Sequence, residues 1–78
     1  MGDLTFFHIG NVWVDHCRAK KMKHKEIPRY LEEYMPIDNK EAHVAIEKYV
    51  RYCMGDETLT GADMSEIFPL LQQKVHNK

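Results

Sequence analysis

Five apolar residues in the second half of the chain recur at helical spacing, and this pattern restricts the fold more than any other feature of the sequence. They stand at i, i+3, i+4, i+7 and i+11: Ala42, Ala45, Ile46, Tyr49 and Cys53. An α-helix places these positions on one narrow face. Asp38 and Glu41 are spaced as a capping box before them, and Gly55 supplies the left-handed residue that commonly follows a helix. The pattern predicts an amphipathic helix over residues 39–54.

Two further segments show the same periodicity. The stripe in the last segment consists of Met64, Ile67, Phe68, Leu71 and Val75. It predicts a helix over residues 62–76, capped by either a Thr60/Asp63 or an Asp63/Glu66 pair. Pro69 lies inside this helix and lacks the N–H that a regular turn needs, so we expect a kink or a restart there.

A short helix is predicted for PRYLEEYM, residues 28–35. Pro28 stands in its first turn, where the missing N–H costs nothing, and Pro36 stops it. One face of this helix carries Ile27, Tyr30, Leu31 and Tyr34.

The opening stretch FFHIGNVWVDH, residues 6–16, fits two structures. As a helix it would place Phe6, Ile9, Trp13 and Cys17 in one stripe, with Gly10 inside at a cost of about 1 kcal/mol relative to alanine. As a β-hairpin it would turn at Gly10-Asn11, a pair that suits a type II′ turn, between aromatic and β-branched residues. The local signals favour the hairpin.

A hairpin would have consequences for binding. Two strands alone are barely stable in water, so one face must pack on the helices. The other face would still show Phe6 and Trp13, beside strand edges with unpaired backbone groups. Such features suit the addition of a strand from another chain or from a second copy of this one. The alternative is that these aromatic residues only complete a small core.

The predicted architecture is therefore a small, mainly helical α+β domain, with an N-terminal β-hairpin packed on three helices. An all-α four-helix bundle is the alternative. The 78 residues suffice for a single domain, residues 1–78, and no linker or repeat divides them. A chain of this length has a marginal core that a partner often helps to stabilise.

Positive charge is concentrated in residues 18–29, which carry a net charge of +5, whereas residues 30–78 carry −4. The cations of this basic segment are Arg18, Lys20, Lys21, Lys23, Lys25 and Arg29. We predict that these residues contact an anionic partner, such as nucleic acid. The alternative is a solvated connecting segment.

No pattern in the sequence indicates catalysis, a metal or a cofactor. Asp15, His16 and Cys17 are adjacent, so their side chains point in different directions and form no relay. The histidines and the two cysteines lack the close paired spacing of zinc sites, and no glycine-rich phosphate loop is present. We therefore expect a protein that is not an enzyme.

Cysteine usage and hydropathy predict the compartment. Two cysteines without a paired motif suggest reduced thiols in the cytoplasm. There is neither a secretion signal nor an apolar run of the roughly 18 residues that a membrane span needs, so no membrane contact is expected.

Residues 9–31, IGNVWVDHCRAKKMKHKEIPRYL, resemble the first two helices of phage repressor-type helix-turn-helix domains. This resemblance implies a DNA- or RNA-binding regulator that uses the basic segment on a phosphate backbone. The sequence departs from the pattern at Pro28 and Glu32, where such motifs carry a small residue and a glycine. The helix that would read bases also lacks a cluster of arginine, asparagine or glutamine.

The function that these observations favour is non-enzymatic. We expect a small regulator or inhibitor that binds a larger protein partner, with Phe6, Trp13 and Tyr52 as contacts, because aromatic residues anchor interfaces. A phage or mobile-element protein that blocks a host machine would have this character. A small nucleic-acid-binding regulator is the alternative function, and a second copy of the chain is an alternative partner.

Overall fold

The computed structural model describes residues 4–75, which form four α-helices and no sheet. The helices are α1 (Phe6–Ala19), α2 (Ile27–Tyr34), α3 (Lys40–Cys53) and α4 (Gly61–Leu71). The predicted α+β class with an N-terminal β-hairpin is therefore wrong. The observed class is all-α, which was the class of the alternative prediction.

α1 forms where the hairpin was predicted, because its buried residues follow a helical period. Phe6, Gly10, Val14 and Cys17 are all buried, at spacings of four, four and three residues. The helix begins after Thr5, whose backbone N–H donates to Nδ1 of His8 at 3.1 Å. Gly10 thus belongs to the core-facing stripe instead of a turn.

Close packing against α3 gives the physical reason for a glycine at position 10. A Cβ atom built on Gly10 would lie 2.8 Å from Cδ2 of Tyr49, closer than side-chain carbons approach in real proteins. The hydroxyl of Tyr49 donates to Oδ1 of Asn11 at 2.6 Å, so the ring is held across the α1 backbone. The Gly-Asn pair serves helix packing and not chain reversal.

α3 is the central helix, since α1, α2 and α4 all pack against it. The prediction of a helix over residues 39–54 is confirmed, except that Asn39 and not Asp38 provides the cap: its Oδ1 accepts from the Ala42 N–H at 3.2 Å. Gly55 follows with φ of +91°, as predicted.

The other two predicted helices are confirmed with shifted bounds. α2 has Pro28 in its first turn and ends before Pro36. α4 begins with the Thr60/Asp63 capping box, and Pro69 lies within it. α4 ends at Leu71, so Val75 lies outside the helix, and position 76 is outside the described residues.

One core lies between the helices. Its buried apolar residues are Phe6, Val14, Cys17, Ile27, Leu31, Met35, Ala42, Ala45, Ile46, Val50, Met64, Ile67 and Leu71. The two ends of the described chain meet beside it, where the Val75 N–H donates to the Leu4 carbonyl at 2.7 Å and the Phe6 N–H to the Gln73 carbonyl at 3.2 Å.

Candidate partner-binding surface

The basic segment spans the end of α1, the loop after it and the start of α2. All six of its cationic side chains are exposed: Arg18, Lys20, Lys21, Lys23, Lys25 and Arg29. Within residues 4–75, the ion pairs formed are those of Arg51 with Glu47 and with Asp56. The six cations of the basic segment therefore stay without a carboxylate partner in the described part of the chain.

Aromatic side chains of α1 and α2 form a strip next to these cations. The rings of Trp13 and Tyr30 meet edge to face at 5.7 Å between centroids, and Tyr30 lies 5.0 Å from Tyr34. His16 packs on Trp13 at 5.1 Å. We call Trp13, His16, Tyr30 and Tyr34 the aromatic strip.

Lys20 joins the strip to the basic segment. Its ammonium Nζ lies 5.9 Å from the centroid of Tyr30, within range of a cation–π contact. Tyr34, at the other end of the strip, is 58% exposed. The strip and the basic segment therefore form one continuous surface, the basic–aromatic surface.

Carboxylates are interspersed on this surface. Glu26 and Glu33 line a shallow depression together with Lys25, Arg29 and Tyr30. The charge pattern is mixed at this end of α2, although the net charge of the basic segment is positive.

The three predicted protein contacts lie in different environments. Phe6 is only 6% exposed and belongs to the core, so its side chain is not presented at the surface. The hairpin that would have exposed it does not form. Trp13 is half-buried within the aromatic strip, and Tyr52 is 45% exposed at a separate location.

Tyr52 belongs to an apolar patch made by α1, α3 and α4. It lines a small hollow of about 270 Å³ with Cys53, Met64 and Phe68. Phe7 packs on Phe68 at 5.7 Å between ring centroids, which ties α1 to this patch. Phe7 and Phe68 were not among the predicted contacts, because the predicted hairpin placed Phe7 on a strand and the helical stripe of the last segment predicted burial for Phe68.

The structure shows how far α3 could act as the base-reading helix that the resemblance to helix-turn-helix domains implies. α3 occupies the position of the base-reading helix, but Ala42, Ala45, Ile46 and Val50 are buried among the other helices. An element that enters a DNA groove needs a free face rich in polar side chains. α3 contains one arginine and no asparagine or glutamine, and this Arg51 is already paired with Glu47 and Asp56, so the helix offers no free cluster of base-reading side chains.

The Asp15-His16-Cys17 sequence is not brought together as a relay. Cys17 is fully buried, and this burial raises the pKa of its thiol, so the reactive thiolate is disfavoured. Asp15 and His16 are exposed. Within residues 4–75, no three His, Cys, Asp or Glu side chains lie close enough together to hold a metal ion.

An ion-pair network after α3 was missed in the sequence. Oδ2 of Asp56 accepts from Nε of Arg51 at 2.9 Å, and Oδ1 of Asp56 accepts from the Thr58 N–H at 2.9 Å and from its hydroxyl at 2.6 Å. The sequence did contain a signal for it, because an aspartate commonly forms a turn by accepting a hydrogen bond from the backbone N–H two residues later. The network joins the end of α3 to the next loop.

Asp56 should make stability depend on pH in acid. Hydrogen bonds from Thr58, together with Arg51, lower the pKa of this carboxyl from 3.8 to about 2. Its contribution to stability is therefore complete above the ordinary pKa and is lost as pH falls through about 4 towards 2. We expect the difference in urea midpoint between the wild type and Asp56→Asn to shrink over this range. The exposed neighbour Glu57→Gln is the control, and a difference between wild type and Asp56→Asn that stays constant from pH 5 to pH 2 would refute the assignment.

None of the four helices in the described part of the chain is long and apolar enough to cross a membrane. Comparison of the sequence and structure with protein-family models, with curated proteins and with solved structures finds no match.

Proposed function

We propose that the chain is a non-enzymatic binding protein, a small regulator or inhibitor that docks on an acidic surface of a larger protein. The observation that carries this proposal is the continuity of the aromatic strip with six exposed cations that have no carboxylate partner within residues 4–75. Tryptophan, tyrosine and arginine are the residues that most often anchor protein interfaces. Complementary charge on the partner would speed association and fix its orientation.

The packing of the rings supports a protein partner over a single-stranded nucleic acid. Stacking platforms for bases need open ring faces. Tyr30 instead contacts Trp13 and Tyr34, and Lys20 lies over its ring. The ring of Tyr30 is thus engaged within the chain, and Tyr34 is the tyrosine of the strip that a partner protein could reach.

The charges of the basic–aromatic surface also support a protein partner over a nucleic acid. A phosphate backbone favours a uniformly positive track, and Glu26 and Glu33 interrupt the cations around Tyr30. A protein surface carries both signs and can pair with both. The net positive charge of the segment selects a partner that is acidic overall at the contact.

A second copy of the chain suits this surface less well than an acidic partner does. In a symmetric dimer the same patch lies on both sides of the interface. Two basic segments of net charge +5 would then face each other and repel. Such a dimer would need to use a different face.

The test is affinity capture from the native host, with and without nuclease, followed by titration of the purified captured protein. Trp13 is the sole tryptophan and lies in the aromatic strip, so its fluorescence should change on binding. We expect Tyr34→Ala to weaken binding at least tenfold, since truncating an interface anchor costs about 2 kcal/mol or more. Tyr34 is 58% exposed, so its removal should leave the fold intact by circular dichroism.

Val44→Ala serves as the control, because Val44 is also exposed but lies on the outer face of α3. It should change the affinity less than twofold. Capture that is lost after nuclease treatment would support the nucleic-acid alternative. Equal affinities of the wild type and Tyr34→Ala would contradict the proposed surface.

A further inference from the structure

A depression of about 680 Å³ lies between the loop that precedes α2 and the loop that follows α3. Lys23, His24 and Lys25 line one side of it, and Arg51, Asp56 and Thr58 line the other. Its volume is in the range of about 300–1,000 Å³ that small-molecule sites occupy. We call it the loop pocket.

Hydrogen bonds within the chain hold the two sides of the loop pocket together. Nε2 of His24 donates to the Met54 carbonyl at 3.0 Å, which links residues 30 apart in the sequence. Arg51 is fixed by Asp56 and by Glu47, whose Oε1 accepts at 3.3 Å. The walls therefore need no ligand to bring them together, and a ligand would meet a preorganised site.

The loop pocket carries uncompensated positive charge. Lys23, Lys25 and Arg51 are the cations of its lining, and Arg51 pairs with both Asp56 and Glu47, so the positive charge left unpaired within residues 4–75 is that of the two lysines. Asp56 is already occupied by Arg51 and Thr58. Neither lysine has an ion-pair partner among residues 4–75.

Donors remain available for an anion. The guanidinium of Arg51 has five N–H groups, and three of them are used by Asp56, Glu47 and Thr58. The ammonium groups of Lys23 and Lys25 add further donors on flexible stems. Lysine commonly binds phosphate in this way, as a mobile point charge.

We propose that the loop pocket binds a phosphate monoester group. Such a group carries a charge of about −1.5 to −2 near pH 7 and offers three strong acceptor oxygens, which matches the two lysine ammonium groups and the unused donors of Arg51. A carboxylate carries a single negative charge and would balance only one of these two ammonium groups. The phosphate belongs either to a free small molecule or to a phosphorylated side chain. The loop pocket shares Lys23 and Lys25 with the basic–aromatic surface, but it does not involve the aromatic strip, so a failure to bind phosphate is distinguishable from a failure of Tyr34→Ala to weaken partner binding.

The test is a set of titrations of the ¹⁵N-labelled chain at constant ionic strength, with inorganic phosphate, O-phosphoserine and a phosphoserine peptide as probes and chloride as the reference. We expect saturable shifts of the amides in residues 23–25 and 56–58. The double variant Lys23→Gln with Lys25→Gln should weaken phosphate binding at least tenfold.

A matched double variant, Lys20→Gln with Lys21→Gln, removes the same charge from the same segment outside the loop pocket. It should weaken binding less than threefold, and circular dichroism should show both variants folded. Equal losses in the two double variants, or shifts that do not saturate and are the same with chloride, would overturn the proposal. Tighter binding of the peptide than of O-phosphoserine would support it with a phosphorylated side chain as the source. Equal binding of these two probes would support it with a free small phosphate as the source.

Discussion

Replacing Ile46 with alanine is expected to lower the free energy of unfolding by about 2–5 kcal/mol. Ile46 is fully buried in α3, the helix on which the other three pack. Its removal would leave a cavity at the centre of the core. A chain of this size has a total stability of roughly 4–12 kcal/mol, so a large part of it would be lost.

Urea denaturation followed by circular dichroism measures this effect, and Val44→Ala is its matched control. Val44 lies two residues earlier on the same helix but is 41% exposed. Its truncation should change the stability by no more than about 0.5 kcal/mol. Similar losses at the two positions would mean that α3 does not bury the face containing Ile46.

Replacing Gly10 with alanine is the second change with a large expected effect. In an exposed helix this substitution stabilises by about 1 kcal/mol. Here the new methyl group would lie 2.8 Å from the Tyr49 ring, which must move and so strain its hydrogen bond to Asn11. Overpacking of this kind costs typically about 1–3 kcal/mol, so we expect net destabilisation.

Gly61→Ala is the matched control for this prediction. Gly61 is the first residue of α4, and a Cβ atom there would meet nothing within 4 Å. Alanine should therefore be neutral or stabilising by up to about 1 kcal/mol in the same urea assay. If Gly10→Ala stabilised the chain as much as Gly61→Ala, the close approach of α1 and α3 would be refuted.

The sequence predicted three of the four helices because their apolar spacing and their end signals agree. The Thr60/Asp63 capping box of α4 is a local feature and was observed. In the α3 stripe Ala42, Ala45 and Ile46 are buried as predicted, whereas Tyr49 and Cys53 are half-buried and Val50, outside the predicted stripe, is buried. The N-terminal segment failed because its local signals conflict with its packing. Gly10-Asn11 has the composition of a turn, but the contact that explains it is made with Tyr49, far along the chain.

The candidate surface was also predictable only in part, because one of its ring contacts joins residues that are distant in the sequence. The basic segment is contiguous in sequence, so its exposure and charge could be expected. Tyr30 and Tyr34 are four residues apart on one helix, and their contact follows from helical spacing. The pairing of Trp13 with Tyr30 depends on how α1 and α2 meet across the loop between them, which no local pattern specifies.

The placement of Phe6 and Phe7 shows how the incorrect assignment of secondary structure changed the predicted surface residues. A hairpin alternates its side chains between two faces, so it would have exposed Phe6 beside Trp13. In α1 the helical period instead buries Phe6 and brings Phe7 to Tyr49 at 5.6 Å. Assigning the strand period in place of the helical period therefore predicted that Phe6 is exposed, whereas it is buried.

A nuclear Overhauser spectrum of the N-terminal segment tests most directly that α1 is one continuous helix that carries Trp13 to Tyr30. We predict Hα(i) to HN(i+3) contacts that continue through Gly10 and Asn11, and contacts between the rings of Trp13 and Tyr30, whose centroids are 5.7 Å apart. Cross-strand contacts between Ile9 and Val12, with no contact between the two rings, would contradict both the fold and the proposed binding surface.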